Sequence, residues 1–131
     1  MLFRSISQNT AGVRGVSEAG DAFGSSVEVL DGGLDETPSL IIAAPNESIG
    51  SITSSGAFHI LPTEIVDGTI IVSAGEDTIF HLGQVPFAAS SHKGALMGTA
   101  IASIEGVIHV GVPGYTINLN SAAGAIFLVT D

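Results

Sequence analysis

Two stretches of this chain follow one template. "FGSSVEVL…PSLIIAAPNESIGSITSSGAFHIL" and "MGTAIASI…GVIHVGVPGYTINLNSAAGAIFLV" share the same order of parts. Each has an aromatic residue or Met followed by Gly, a short apolar segment, a turn, a second apolar segment ending in Pro, a Ser/Gly-rich loop, and Gly-Ala opening a third apolar segment. Pro45 and Pro113 lie 68 positions apart, as do Gly56 and Gly124, so the second halves of the two stretches are in strict register. Repetition on this scale belongs to architectures in which each unit buries its faces only against the next one.

The apolar runs are short, rich in β-branched residues and bounded by Gly, Asp, Ser or Pro, as in "SSVEVL", "SLIIAAP", "GAFHILP", "GTIIVSAG", "DTIFHLG", "TAIASI", "VIHVGVP" and "AIFLVT". That is the punctuation of strands. No segment keeps an i, i+3, i+4 apolar face over a window of about 12 residues without meeting Gly or Pro, so the chain is predicted to be all-β, built of antiparallel repeat blades. Asp67-Gly68 and Glu105-Gly106 each put a Gly where a two-residue hairpin turn needs positive φ. The strands are apolar on nearly every residue, which predicts sheets covered on both faces. The whole of 1–131 reads as a single repeat module, with a first repeat at about 12–62, an inserted or outer hairpin at about 63–83 and a second repeat at about 84–131.

Composition narrows the function. A chain of 131 residues can bury a real core as one domain. With no Cys it holds neither a disulfide nor a thiolate metal site. A formal net charge of −10 repels phosphate backbones and anionic lipid, which argues against nucleic-acid binding. No apolar run reaches the ~18 residues of a membrane span, so no membrane insertion is expected, and "MLFRSISQNT" carries no signal-peptide core. A protein of this kind working outside a cell would have lost its leader or be part of a longer chain.

Phe23-Gly24 followed by Ala43-Ala44-Pro45, and preceded by "VSEAGD" at 16–21, resembles the FG-GAP repeats of integrin α-chain β-propellers and related bacterial surface proteins. The second unit is looser, with Met97-Gly98 for the FG and Gly111-Val112-Pro113 for the GAP. The resemblance implies propeller blades, a role in adhesion or protein binding, and an extracellular or cell-surface location. A propeller closes with about four to eight blades, and this chain supplies two. It therefore reads as part of a longer propeller, as a protomer completed by other copies or a partner, or as a two-unit domain outside any ring. An open arrangement leaves strand edges that must pair or be covered, which predicts self-association.

In the resembled family the loop between the first two strands is often a calcium site, with ligands at alternate positions. Carried onto this chain those positions are Asp31, Gly33, Asp35, Thr37 through its carbonyl, and Ser39, with Glu36 as a further oxygen. Calcium takes about six to eight oxygens and weakens as carboxylates are lost, so two Asp residues make a weak candidate. The structural reading is a strand connection kept soluble by its Asp residues. The second unit turns on Glu105-Gly106 alone and offers no such site.

His59, His81, His92 and His109 never fall at a paired ligand spacing; three lie within apolar segments, and only His92, in "SSHKG", is a candidate partner contact. A Ser-His-Asp site is assembled in space, but no G-x-S-x-G elbow marks a nucleophile, and no Gly-rich phosphate loop is present. Asn46-Glu47-Ser48 matches a glycosylation sequon. The loops at 46–56 and 114–124 occupy equivalent places, and polar loops repeated on one side of an array are its usual binding surface. Tyr115, Asn118 and Asn120 are the contact candidates there. The sequence thus predicts a non-catalytic module with a protein or glycan ligand. The alternatives are a subunit assembling into a ring or filament, and an accessory or catalytic domain of a secreted hydrolase.

Overall fold

The computed structural model describes residues 4–31, 37–84 and 93–130. Its strands are β1 (Val27–Leu30), β2 (Ser39–Ala44), β3 (Ala57–Val66), β4 (Thr69–Val72), β5 (Thr78–His81), β6 (Ile101–Ile104), β7 (Val107–Val112) and β8 (Ala125–Val129). A single 3-10 turn at Ala74–Glu76 is the one helical element among the described residues. All pairings between the strands are antiparallel. The first sheet runs β1-β2-β3, and the long β3 is shared: Thr63–Val66 pairs with β4 while Ala57–Ile60 pairs with β5. The second sheet is β6-β7-β8.

Both anticipated hairpins form, β3–β4 at Asp67-Gly68 and β6–β7 at Glu105-Gly106. Their central residues have φ of 51° and 76°, and 49° and 79°, so both positions are left-handed, as a turn matched to strand twist requires.

The sheets stack through one face each. Ile41 and Phe58 of the first sheet, with Leu30 and Ile60 beside them, meet Ile108, Val110, Val112 and Val129 of the second. Leu82, Ala95 and Met97, from the connection between the sheets, fill the joint. Ile42 and Leu61 alternate to the other face of the first sheet, where the amino-terminal segment covers them with Val13 and Ile6.

The two units agree bond for bond. Val27, Ile42 and His59 form one cross-strand row, and Ile101, Val110 and Phe127 form its counterpart. Gly24 N–H donates to Ala43 O at 2.9 Å, and Gly98 N–H to Gly111 O at 3.0 Å. Gly56 N–H donates to Glu47 O at 2.9 Å, and Gly124 N–H to Tyr115 O at 3.0 Å. The isolated bridges Ile49↔Ile52 and Ile117↔Asn120 repeat the same relation inside the loops.

One expectation is corrected. Coverage on both faces holds only for β2 and β3 of the first sheet: Val27 and Val29 at its β1 edge are 57% and 46% exposed, and Ile126 and Leu128 on the outer face of the second sheet are 69% and 62% exposed. The amino-terminal segment covers the far side of the first sheet only over β2 and β3, and nothing among the described residues covers the far side of the second, so the apolar residues there meet solvent. Neither a closed barrel nor a propeller is formed by the described residues. No helix among them is long and apolar enough to cross a membrane.

Candidate functional site

Behind the first sheet the apolar layer is interrupted by a polar cluster. β3 places His59 opposite Ile42 on one side and Ile79 on the other, with no solvent exposure. The turn Ala74–Glu76 ends at Asp77, whose Oδ2 lies 2.8 Å from His59 Nδ1. The same oxygen accepts the Arg14 backbone N–H at 2.8 Å, and the Arg14 Nε–H donates to Asp77 O at 2.9 Å. The Phe23 ring meets the imidazole edge-on, with centroids 5.1 Å apart. Nearby, buried Glu47 accepts the Gln8 amide at 2.5 Å, and Asp21 Oδ2 accepts the Glu18 backbone N–H at 2.6 Å.

Burial pushes the Glu47 carboxyl up, opposed by the Gln8 hydrogen bond; the nearby Asp21 raises it further, His59 lowers it and Glu18 raises it. Three buried atoms, Ser55 Oγ, His59 Nε2 and Asp77 Oδ1, find no hydrogen-bond partner among the described residues.

A His oriented by an Asp is half of a hydrolytic triad. Here both side chains are sealed, and Ser55 Oγ makes no hydrogen bond to the imidazole. The pair instead ties the amino-terminal segment, β3 and the approach to β5 into one body. In the second unit the matching positions are aromatic: Tyr115 stands where Glu47 does and Phe127 where His59 does, and their rings meet edge-on at 5.4 Å. One register position thus carries an ionisable pair in one unit and an apolar pair in the other.

The residues expected to act lie apart from this cluster. Asp31 is exposed at the end of β1. Thr37 Oγ1 donates to Thr63 O at 2.5 Å, and Ser39 begins β2 opposite Leu30 and Pro62. Gly33, Asp35 and Glu36 lie outside the described residues, as does His92. No group of three or more His, Asp or Glu among the described residues is placed to hold a metal ion. Tyr115 is half-buried against Phe127, whereas Asn118 and Asn120 are exposed in their loop, Asn118 at a φ of 55°. His81 Nδ1 lies 2.8 Å from Leu82 O, and His109 Nδ1 lies 3.2 Å from Val107 O.

The other feature is the outer face of the second sheet. Ile104, Ile126 and Leu128 project from it, with Ala102, His109 and Gly111 between them in register. Their counterparts in the first sheet are Leu30, Phe58 and Ile60, with Glu28, Ile41 and Ala43, the surface on which the second sheet sits. At one end of this face an open groove of about 540 Å³ is lined by Thr99, Gly111, Pro113, Gly124, Ala125 and Ile126. In the first unit the matching place is filled by Met97-Gly98. Met97 N–H donates to Ser55 O at 3.0 Å and Met97 bridges Gly56 in parallel. A Cβ on Gly98 would lie 3.0 Å from Ala57 O and 3.2 Å from Ala43 Cβ. The contact candidates Tyr115, Asn118 and Asn120 lie in a loop and not on this face. The 68-residue register is the signal that points to it, because it matches Ile126 and Leu128 to Phe58, which is buried, and Ile60, which is partly buried, in the first unit.

Comparison with family models, with curated proteins and with solved structures gives no significant match to this chain.

Proposed function

We propose that the chain is a non-catalytic FG-GAP-like β-propeller module for protein binding, adhesion or assembly, working at a cell surface or outside the cell, as its sequence resemblance implies. The observation that carries this reading is the apolar outer face of the second sheet, with Ile104 58%, Ile126 69% and Leu128 62% exposed beside a groove of small residues. Clustered apolar surface of this kind marks an interaction site. The shared bond pattern of the two units supports the repeat relationship, and the sealed His59–Asp77 pair fits a structural role better than a hydrolytic one. The acidic loop at Asp31, with its two Asp residues, is at most a weak calcium ligand set.

The test is the fluorescence of anilinonaphthalene sulfonate with the folded, dilute chain. The reading expects enhancement that falls severalfold in Ile126→Lys/Leu128→Lys while the circular dichroism spectrum is retained. Equal fluorescence from both chains would contradict it.

A further inference from the structure

We infer that the groove at Gly111, Gly124 and Ala125 is the seat for the Ala22-Phe23-Gly24 segment of a second copy of this chain, so that copies join head to tail. The inference rests on the binding-module reading and names the partner. Its template is the joint already present between the two units. There, residues 94–98 run alongside 53–56: Gly94 N–H donates to Thr53 O at 3.0 Å, Leu96 N–H to Ser54 O at 3.1 Å and Met97 N–H to Ser55 O at 3.0 Å.

Both halves of that joint recur, unpaired, at the two ends of the molecule. On one side, Gly20, Ala22 and Gly24 have φ of 91°, 60° and 91°, against 72°, 58° and 96° for Gly94, Leu96 and Gly98. On the other, Ala122 and Gly124 have φ of 52° and 83°, against 51° and 87° for Ser54 and Gly56. The backbone N–H groups of Gly20, Ala22 and Phe23, and the carbonyls of Ser121, Ala122 and Ala123, form no backbone hydrogen bond to a described residue. A Cβ on Gly24 would meet nothing within 4 Å, although its counterpart Gly98 is pressed against the first sheet.

The side chains agree with the backbone along β1, whereas Ile42 and His59, the counterparts of Val110 and Phe127, are already covered by the chain's own amino-terminal segment and Asp77 and take no part in the contact. Val27 is 57% exposed, whereas its counterpart Ile101 is half-buried against the first sheet. Docking would cover Val27 and Val29 of one copy with Ile126 and Leu128 of the next, as Ile101 is now covered by the first sheet. The contact uses different surfaces on the two partners, so it propagates into a ring or a filament. The groove carries no charged side chain, but each copy has a net charge of −10, so added salt strengthens the joint by screening repulsion between copies.

Mass measurement by light scattering over a range of concentrations tests this with three full-length chains. The native chain is expected to rise above its monomer mass of 13.2 kDa as concentration increases. Val27→Lys/Val29→Lys blocks the head, and Ile126→Lys/Leu128→Lys blocks the tail. Each alone, with a native circular dichroism spectrum, should stay at the mass of one chain, and an equimolar mixture should stop at two. Three outcomes overturn the inference: a monomeric native chain, a head-blocked chain that still self-associates, or a mixture that stays monomeric. A monomeric native chain whose Ile126–Leu128 face still binds anilinonaphthalene sulfonate leaves the binding-module reading standing. A monomeric chain that binds no dye overturns both.

Discussion

Glu47, His59 and Asp77 show what a buried charge costs and what it secures. Asp77 Oδ2 serves both the His59 imidazole and the Arg14 backbone N–H. Asp77→Ala would leave the fully buried His59 Nδ1 without its partner, and should cost roughly 1–3 kcal/mol, read from the midpoint of urea unfolding. Glu47 works in the opposite sense. Its carboxyl is raised by burial, so the folded chain holds that proton more tightly than the unfolded chain does. Its contribution is therefore fully present below the unfolded Glu range and is lost as pH rises through the folded value. Glu47→Gln, which keeps an amide partner for Gln8 and removes the charge, should raise the melting temperature by a few degrees at pH 7. The gain should vanish at acid pH, and a gain unchanged at pH 3.5 would contradict this assignment. The second unit avoids the problem by placing Tyr115 and Phe127 at the same register.

At the scale of the elements, the two central glycines of the repeat make a matched pair. Gly56 and Gly124 share their register and nearly their φ, 87° and 83°, so Ala at either carries the same left-handed strain. Their neighbours differ: a Cβ on Gly56 would lie 2.3 Å from Met97 N, whereas on Gly124 it would meet nothing closer than Pro113 O at 3.5 Å. Gly56→Ala should therefore lower the melting temperature well beyond Gly124→Ala, by separating the two units. Comparable losses would show that the joint at Met97 is not tight. Much of this level was legible beforehand. Short β-branched runs, Asp67-Gly68, Glu105-Gly106 and the constant offset from Pro45 to Pro113 follow from local chemistry and appear as strands, hairpins and equivalent bonds. Three things were not legible. His59 meets Asp77 across 18 residues because β3 is shared between β4 and β5, a choice that periodicity does not encode. Glu47 sits within what reads as a surface sequon, but folds inward beneath Gln8. Apolar strands also cannot say which of their faces has a neighbour.

The molecule as a whole has one joint made between its two units, with the second sheet's outer face open at one end and the β1 edge with residues 20–24 open at the other. An apolar groove on a strongly acidic body predicts a characteristic salt response. Raising ionic strength from low to physiological levels should increase the associated fraction, because repulsion between copies is screened while apolar burial is kept. A decrease with salt would point to ionic contacts instead. All of this presumes that two sheets in the same register lie face to face across Met97-Gly98. Nuclear Overhauser contacts in the dilute, methyl-labelled chain address that most directly. Cross-peaks are expected from the Gly98 α-protons to the Ala43 methyl, and from the Val110 methyls to the first sheet's Ile41 and Phe58. Sheets that each show their own ladder contacts but none of these cross-peaks would contradict it.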